Sequence, residues 1–158
     1  MGVVSMAKDI KRVHVNAVVM YKVGAFMQVI GKDSYIVSYL LGYAIKNTND
    51  NIPTCGFPKN AINKVIVKLE KNKIDYVIIY TRNNYEVDSE SYNKNLNNYY
   101  KILEKAHNYV KIKKRLEKIE TSLISKIDKT ETLEKIKKIE SIVYDDGESR
   151  NWEMKSLK

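Results

Sequence analysis

A single cysteine among 158 residues excludes an intramolecular disulfide. No apolar run approaches the length that spans a bilayer, and no secretory pattern opens the chain, so the expected setting is the cytoplasm with no membrane partner. A phosphate loop of the form G-x-x-x-x-G-K-[ST] is missing, which excludes an ATPase of that type. The two histidines, His14 and His107, lie far apart in sequence and neither clusters with Cys55, so neither a metal site nor a cofactor is expected. No nucleophile-elbow pattern accompanies the serines, and the acidic residues before residue 86 are few and scattered. With no catalytic residue to name, the chain is expected not to be an enzyme.

What the sequence has in quantity is positive charge. Lys and Arg number 28 against 19 Asp and Glu, a formal +9. Residues 1–86 carry 12 basic and 6 acidic side chains, residues 87–158 carry 16 and 13. A basic excess of this size attracts polyanions, and nucleic acid is favoured over membrane because no strongly basic amphipathic anchor is evident.

The segment from Met20 to Ile30 stands out. An apolar run enters it, Lys22-Val23-Gly24-Ala25 breaks it, and a second run begins at Phe26, the pattern of a β-hairpin with Phe26 at its tip. Gly24 accepts φ > 0 at no steric cost and admits close approach of a backbone or ligand. The Phe26 ring belongs either to the hairpin's own core or to a partner.

Around this hairpin, Met1 to Arg12 reads as a lead, either unstructured or a single helical turn, and Val13 to Tyr21 as a strand. Asp33 is placed to cap a helix whose inward face is Ile36, Val37, Leu40 and Leu41, stopped by Gly42. Tyr43 to Lys46 and Ile52 to Cys55 read as neighbouring strands, and Gly56-Phe57-Pro58 as a corner opening a helix with Ile62, Val65, Ile66 and Leu69 inward. Asp75 to Tyr80, with the run Tyr76-Val77-Ile78-Ile79-Tyr80, is continuous, apolar and of strand length, as in a central strand. The polar, acidic stretch from Tyr85 to Ser91 reads as a boundary.

Beyond it the composition turns to Asn, Lys, Glu, Ile and Leu, with neither Pro nor Gly until Gly147. Leu96, Tyr99, Leu103, Ala106 and Val110, then Ile112, Leu116, Ile119, Leu123 and Ile127, follow helical spacing. Asp128 with Glu131 reads as a reciprocal cap for a second helix carrying Leu133, Ile136, Ile139 and Val143 and stopped at Gly147. The tail beyond has Trp152 as its anchor. The expected fold is α+β: a small mixed β-sheet with flanking helices in 1–86, followed by a C-terminal α-helical hairpin in 91–145 and a tail in 146–158. The hairpin's apolar stripe calls for a cover, from the α/β domain, another copy or a different protein.

Lys22-x-Gly24-x-Phe26-Met27-Gln28 resembles the motif of the N-terminal, mismatch-reading domain (domain I) of the MutS family of DNA mismatch repair proteins. The resemblance continues through Gly31-Lys32-Asp33-Ser34 and resumes at Ile52-Pro53-Thr54-Cys55-Gly56-Phe57-Pro58, in all about residues 10–82. It implies that Phe26 stacks on a mispaired base from the minor groove. In that family a glutamate accepts a hydrogen bond from the base, but here Gln28 occupies the position, and complete MutS proteins are several times longer.

The nucleic-acid-binding residues implied are Lys22, Gly24, Phe26, Gln28 and Lys32. Lysines supply affinity to phosphates, an aromatic wedge exploits weak stacking, and a neutral amide both donates and accepts where a carboxylate would discriminate. Three functional readings stay open. One is a non-catalytic sensor of mispaired or distorted duplex. Another is an accessory subunit of the reverse transcriptase of a diversity-generating retroelement, a setting in which short MutS-like proteins are expected, holding RNA or an RNA–DNA hybrid and docking the enzyme through its helices. The last is a protein-interaction module without nucleic acid, against which the basic excess counts.

Overall fold

The computed structural model describes residues 2–91, 98–127 and 130–144. Chain contacts divide it into two compact units, Met1–Ile112 and Lys113–Lys158.

The first unit is built on a six-stranded sheet of order β3-β4-β2-β1-β5-β6, formed by β1 (Ala17–Val23), β2 (Phe26–Ile30), β3 (Lys46–Asn47), β4 (Pro53–Pro58), β5 (Asp75–Tyr80) and β6 (Glu86–Glu90). Only β1 and β5 run parallel; the other neighbours are antiparallel. The mixed sheet with helices around it, followed by C-terminal helices, is the α+β arrangement expected from the sequence.

Period-2 alternation decides which side chains meet which helices. Val18 and Met20 of β1, Met27 and Val29 of β2, Phe57 of β4 and Ile78 of β5 point to one face. There they meet Ile36 and Val37 of α2 (Lys32–Leu41), Val65 and Leu69 of α3 (Ile62–Lys71), and Tyr99 to Ala106 of α4 (Tyr99–Ile124). Ala17, Val19, Tyr21, Val77 and Ile79 point the other way, and α1 (Val3–Val13) covers them with Ala7 and the partly buried Val3 and Ile10.

Several expectations are corrected. The first residues form a three-turn helix because Val3, Ala7 and Ile10 make an apolar stripe that the β1–β5 half of the sheet needs for cover. The first strand begins at Ala17 rather than Val13, after that helix has ended. Gly56-Phe57-Pro58 is the end of β4, not a corner: Phe57 is buried, and β3 pairs with only the first two residues of β4, so Pro58 leaves no neighbouring strand short of a donor. β3 itself contains two residues, and Tyr43 to Ile45 precede it outside any strand. The acidic segment around residue 88 is the edge strand β6, charged as exposed edges commonly are.

Asp33 is not a cap. Gly31 takes that position, and Asp33 sits inside the first turn of α2 with its carboxylate buried. Its Oδ1 accepts from Tyr99 Oη at 2.6 Å and Lys11 Nζ at 2.9 Å, while Oδ2 accepts the Val19 N–H at 3.0 Å. Lys11 also donates to the Ala17 carbonyl. Burial pushes the Asp33 carboxyl above its usual range, against the pull of Lys11, Tyr99 and Val19, and burial likewise pushes the Lys11 ammonium down.

The second unit holds the C-terminal part of α4 and α5 (Thr130–Val143), with residues 125–127 as a turn between them. Thr132 Oγ1 donates to the Lys126 carbonyl at 2.6 Å. Leu116, Ile119, Ile124, Leu133 and Ile142 are exposed. The expectations placed on Leu96, Asp128, Gly147 and Trp152 lie outside the described residues.

The Asp33 cluster makes a stability prediction. Asp33→Ala removes the carboxylate to which Lys11 and Tyr99 donate and is expected to destabilise by about 3–5 kcal/mol, as loss of one partner of a buried charge pair does. Tyr99→Phe, removing one bond to a carboxylate, is expected to lose about 1.5–3 kcal/mol. Urea unfolding of both variants against the parent checks the order; equal stability of all three would show that the cluster is not closed in solution.

Candidate nucleic-acid interface

The tip of the β1–β2 hairpin is a two-residue turn of Gly24 and Ala25, closed by the pair Val23 and Phe26. Gly24 has φ +60° and Ala25 is not in the left-handed region, the pattern of a type II′ turn that matches strand twist. No atom lies within 4 Å of where a Gly24 Cβ would stand, so it is backbone conformation, not crowding, that asks for glycine here.

Phe26 is 58% exposed although its neighbour Met27 is fully buried. The alternation explains this, since Met27 and Val29 face the helices α2 and α3 while Phe26 and Gln28 face the opposite side. On that opposite side α1 packs over β1 and β5. The β2–β4 half carries a groove of about 520 Å³ lined by Phe26, Gln28, Lys46, Thr54 and Gly56. Gly56 lies directly opposite Gln28 in the β2–β4 register and has no side chain to fill the space beside the amide.

The five residues implied by the sequence are not gathered into one cluster. Phe26 and Gln28 share the groove, and Gly24 lies in the turn next to Phe26. Lys22 pairs in register with Met27 and Tyr80 and so projects from the face that α2, α3 and α4 cover. Its Nζ is 2.8 Å from Asp88 of the edge strand and 5.8 Å from the Tyr80 ring centroid. Lys32 opens α2 beyond the far end of β2, about 14 Å or more from Phe26 at the ordinary strand rise.

Lys46, Thr54 and Gly56 line the groove without having been singled out by sequence reasoning. The β2–β4 and β3–β4 registers bring them there, and a glycine next to Phe-Pro gives no hint of it. Lys59 was likewise missed; its Nζ lies 6.0 Å from the Tyr80 ring that Lys22 also approaches, and it forms no ion pair among the described residues.

Chemically, the groove offers an exposed ring, a neutral amide and a lysine, with no acid among its lining residues and Cys55 as the one thiol. Cys55 lies on the buried side, where burial pushes its thiol up to about 12, a value unsuited to nucleophilic work near neutral pH. His107 packs its ring 4.7 Å from that of Tyr35. Among the described residues no group of three or more His, Cys, Asp or Glu could hold a metal ion, and no helix is long and apolar enough to cross a membrane.

A family model described as MutS domain I matches residues 2–100. The DNA mismatch repair protein MutS of Rickettsia canadensis is 34% identical over 67 residues, which is 40% of this chain and 8% of that protein. The DNA mismatch repair protein MutS of Rickettsia typhi is 32% identical over 65 residues, 39% of this chain and 7% of that protein. The chain thus spans under a tenth of the length of these relatives. These matches bear out the resemblance carried by the Gly24-x-Phe26 and Ile52-Pro53 segments.

Proposed function

Because the chain belongs to the MutS domain I family, we propose that it is a non-catalytic nucleic-acid-binding protein that reads mispaired or distorted duplex with the Phe26 tip. The observation that carries this reading is the exposure of Phe26 on the uncovered half of the sheet, beside the Gln28 amide and an open groove. A large apolar ring left in water at a hairpin end gains by wedging where base stacking is already weak. Gln28 carries no charge to repel phosphates and presents both a donor and an acceptor to a base edge. Lys46 forms no ion pair among the described residues and supplies a phosphate contact beside the groove, whereas the Lys22 charge is largely answered by Asp88 on the other face.

A second reading, an accessory subunit that holds RNA or a hybrid and docks a reverse transcriptase, is favoured by the exposed apolar side chains of the second unit. Leu116, Ile119, Leu133 and Ile142 suit a protein partner or another copy of the chain. A chain ending at Ile112 should then keep duplex binding and lose association, measured by sedimentation and by capture of the enzyme. Unchanged association would remove this reading.

The first reading is tested by substitution. Phe26→Ala is expected to remove preference for mismatched over perfect duplex, about 1–3 kcal/mol on the scale of base–aromatic stacking. Because the ring is exposed, stability should change by no more than about 0.5 kcal/mol. Lys46→Ala should weaken all duplexes alike and flatten the salt dependence, and Lys22→Ala and Lys59→Ala should do so less. Gln28→Glu should weaken binding generally while sharpening discrimination. If Phe26→Ala leaves the mismatch preference intact in titrations at fixed salt, the ring is not the reader.

A further inference from the structure

A second groove, of about 470 Å³, lies between α1 and the start of α4, away from the hairpin tip and wholly within the first unit. Its floor is apolar, formed by Ala7, Ile30 and Leu103, and its rim is cationic, with Lys8 and Arg12 on α1 and Lys32 at the start of α2. Lys8 and Arg12 are four residues apart and so share one side of the helix. Lys8 and Lys32 form no ion pair among the described residues, and Arg12 meets Asp9 at 3.2 Å in a pair so exposed that it holds the guanidinium weakly.

Tyr100 stands at this groove and is 58% exposed. It is not free to wander. Its ring meets that of Tyr99 edge to face, with centroids 5.3 Å apart and planes at 90°, and Tyr99 is itself fixed by the 2.6 Å bond to Asp33.

We propose that this groove binds single-stranded nucleic acid, with a base stacked on Tyr100 over the apolar floor and flanking phosphates held by Lys8, Arg12 and Lys32. An aromatic platform beside a cationic track is what sequence-tolerant single-strand binding requires. An acidic peptide would also answer the charge, but its backbone N–H and C=O groups would find few partners on so apolar a floor. A base presents a π-face that needs none. The inference stands on the groove's own chemistry and does not depend on what the Phe26 face binds.

The test is fluorescence anisotropy of the full chain at low salt, with a labelled oligothymidylate and an abasic strand of the same length and charge. The base-bearing strand is expected to bind roughly ten- to a hundredfold tighter. Tyr100→Ala should abolish that difference, Tyr100→Phe and Phe26→Ala should keep it, and Lys8→Ala combined with Lys32→Ala should weaken both strands alike. Equal binding of the two strands by the parent protein would overturn the proposal without recourse to any variant. So would loss of the preference in Phe26→Ala but not in Tyr100→Ala, which would assign the strand to the hairpin tip. A peptide of alternating Glu and Leu that binds in a Tyr100-dependent way, while the oligothymidylate does not, would make the groove a protein-docking site and equally overturn it.

Discussion

One buried carboxylate ties the first unit together. Asp33 is reached by Lys11 from α1, by the Val19 amide from β1 and by Tyr99 from α4, while its own backbone belongs to α2. As a source of net stability such a cluster is poor, because desolvation of both charges opposes their attraction. The signs agree. Burial raises the folded pKa of Asp33, a contribution fully present below its unfolded value near 3.8 and lost as pH rises through the folded value. Burial lowers that of Lys11, a contribution present above 10.5 and lost as pH falls through the folded value. At neutral pH, then, burial opposes the charged forms of both groups. What the cluster provides instead is geometric strictness, since each donor must arrive in place or leave an unpaired group inside. Val19 stands one residue beyond the last β1–β2 pair, so satisfying its N–H fixes where β2 stops and α2 begins.

From that fixed point the hairpin register runs outward to Val23 and Phe26 at the tip. Alternation then sends Met27 and Val29 into the core and Phe26 and Gln28 out. α1 is recruited to the β1–β5 half of the outer face, where Val19, Tyr21, Val77 and Ile79 need cover. The proposed duplex interface is the half that α1 does not occupy. Charge is divided in the same way, with Lys22 turned to the other face and answered by Asp88, and Lys46 left beside the groove.

Much of the central sheet was legible because its signals are local. The β1–β2 hairpin and the apolar run that forms β5 both carry their own pattern, and the family motif gave the fold around them. Asp33 was misread because an acid just after Gly-Lys and ahead of an apolar helix looks like a cap, while the groups that claim it lie 22 and 66 residues away in sequence. The first helix has a readable stripe in Val3, Ala7 and Ile10, set where the first residues of a domain are commonly loose. The groove was not legible: Gly56 and Lys46 join Phe26 and Gln28 only through pairings across β2, β4 and β3. Nor could a one-dimensional reading show that Lys22 and Phe26, four residues apart, leave the sheet on opposite faces.

The central claim is that the uncovered β2–β4 half of the sheet is the face that meets duplex. It is tested most directly by following backbone amide resonances of the labelled protein during titration with a duplex carrying one mismatch. The account predicts that the largest shifts gather at residues 24–28, at 54–58 and at Lys46, with α2 and α3 little changed. Shifts concentrated on α2 and α3, with Phe26, Gln28 and Gly56 unmoved, would contradict it.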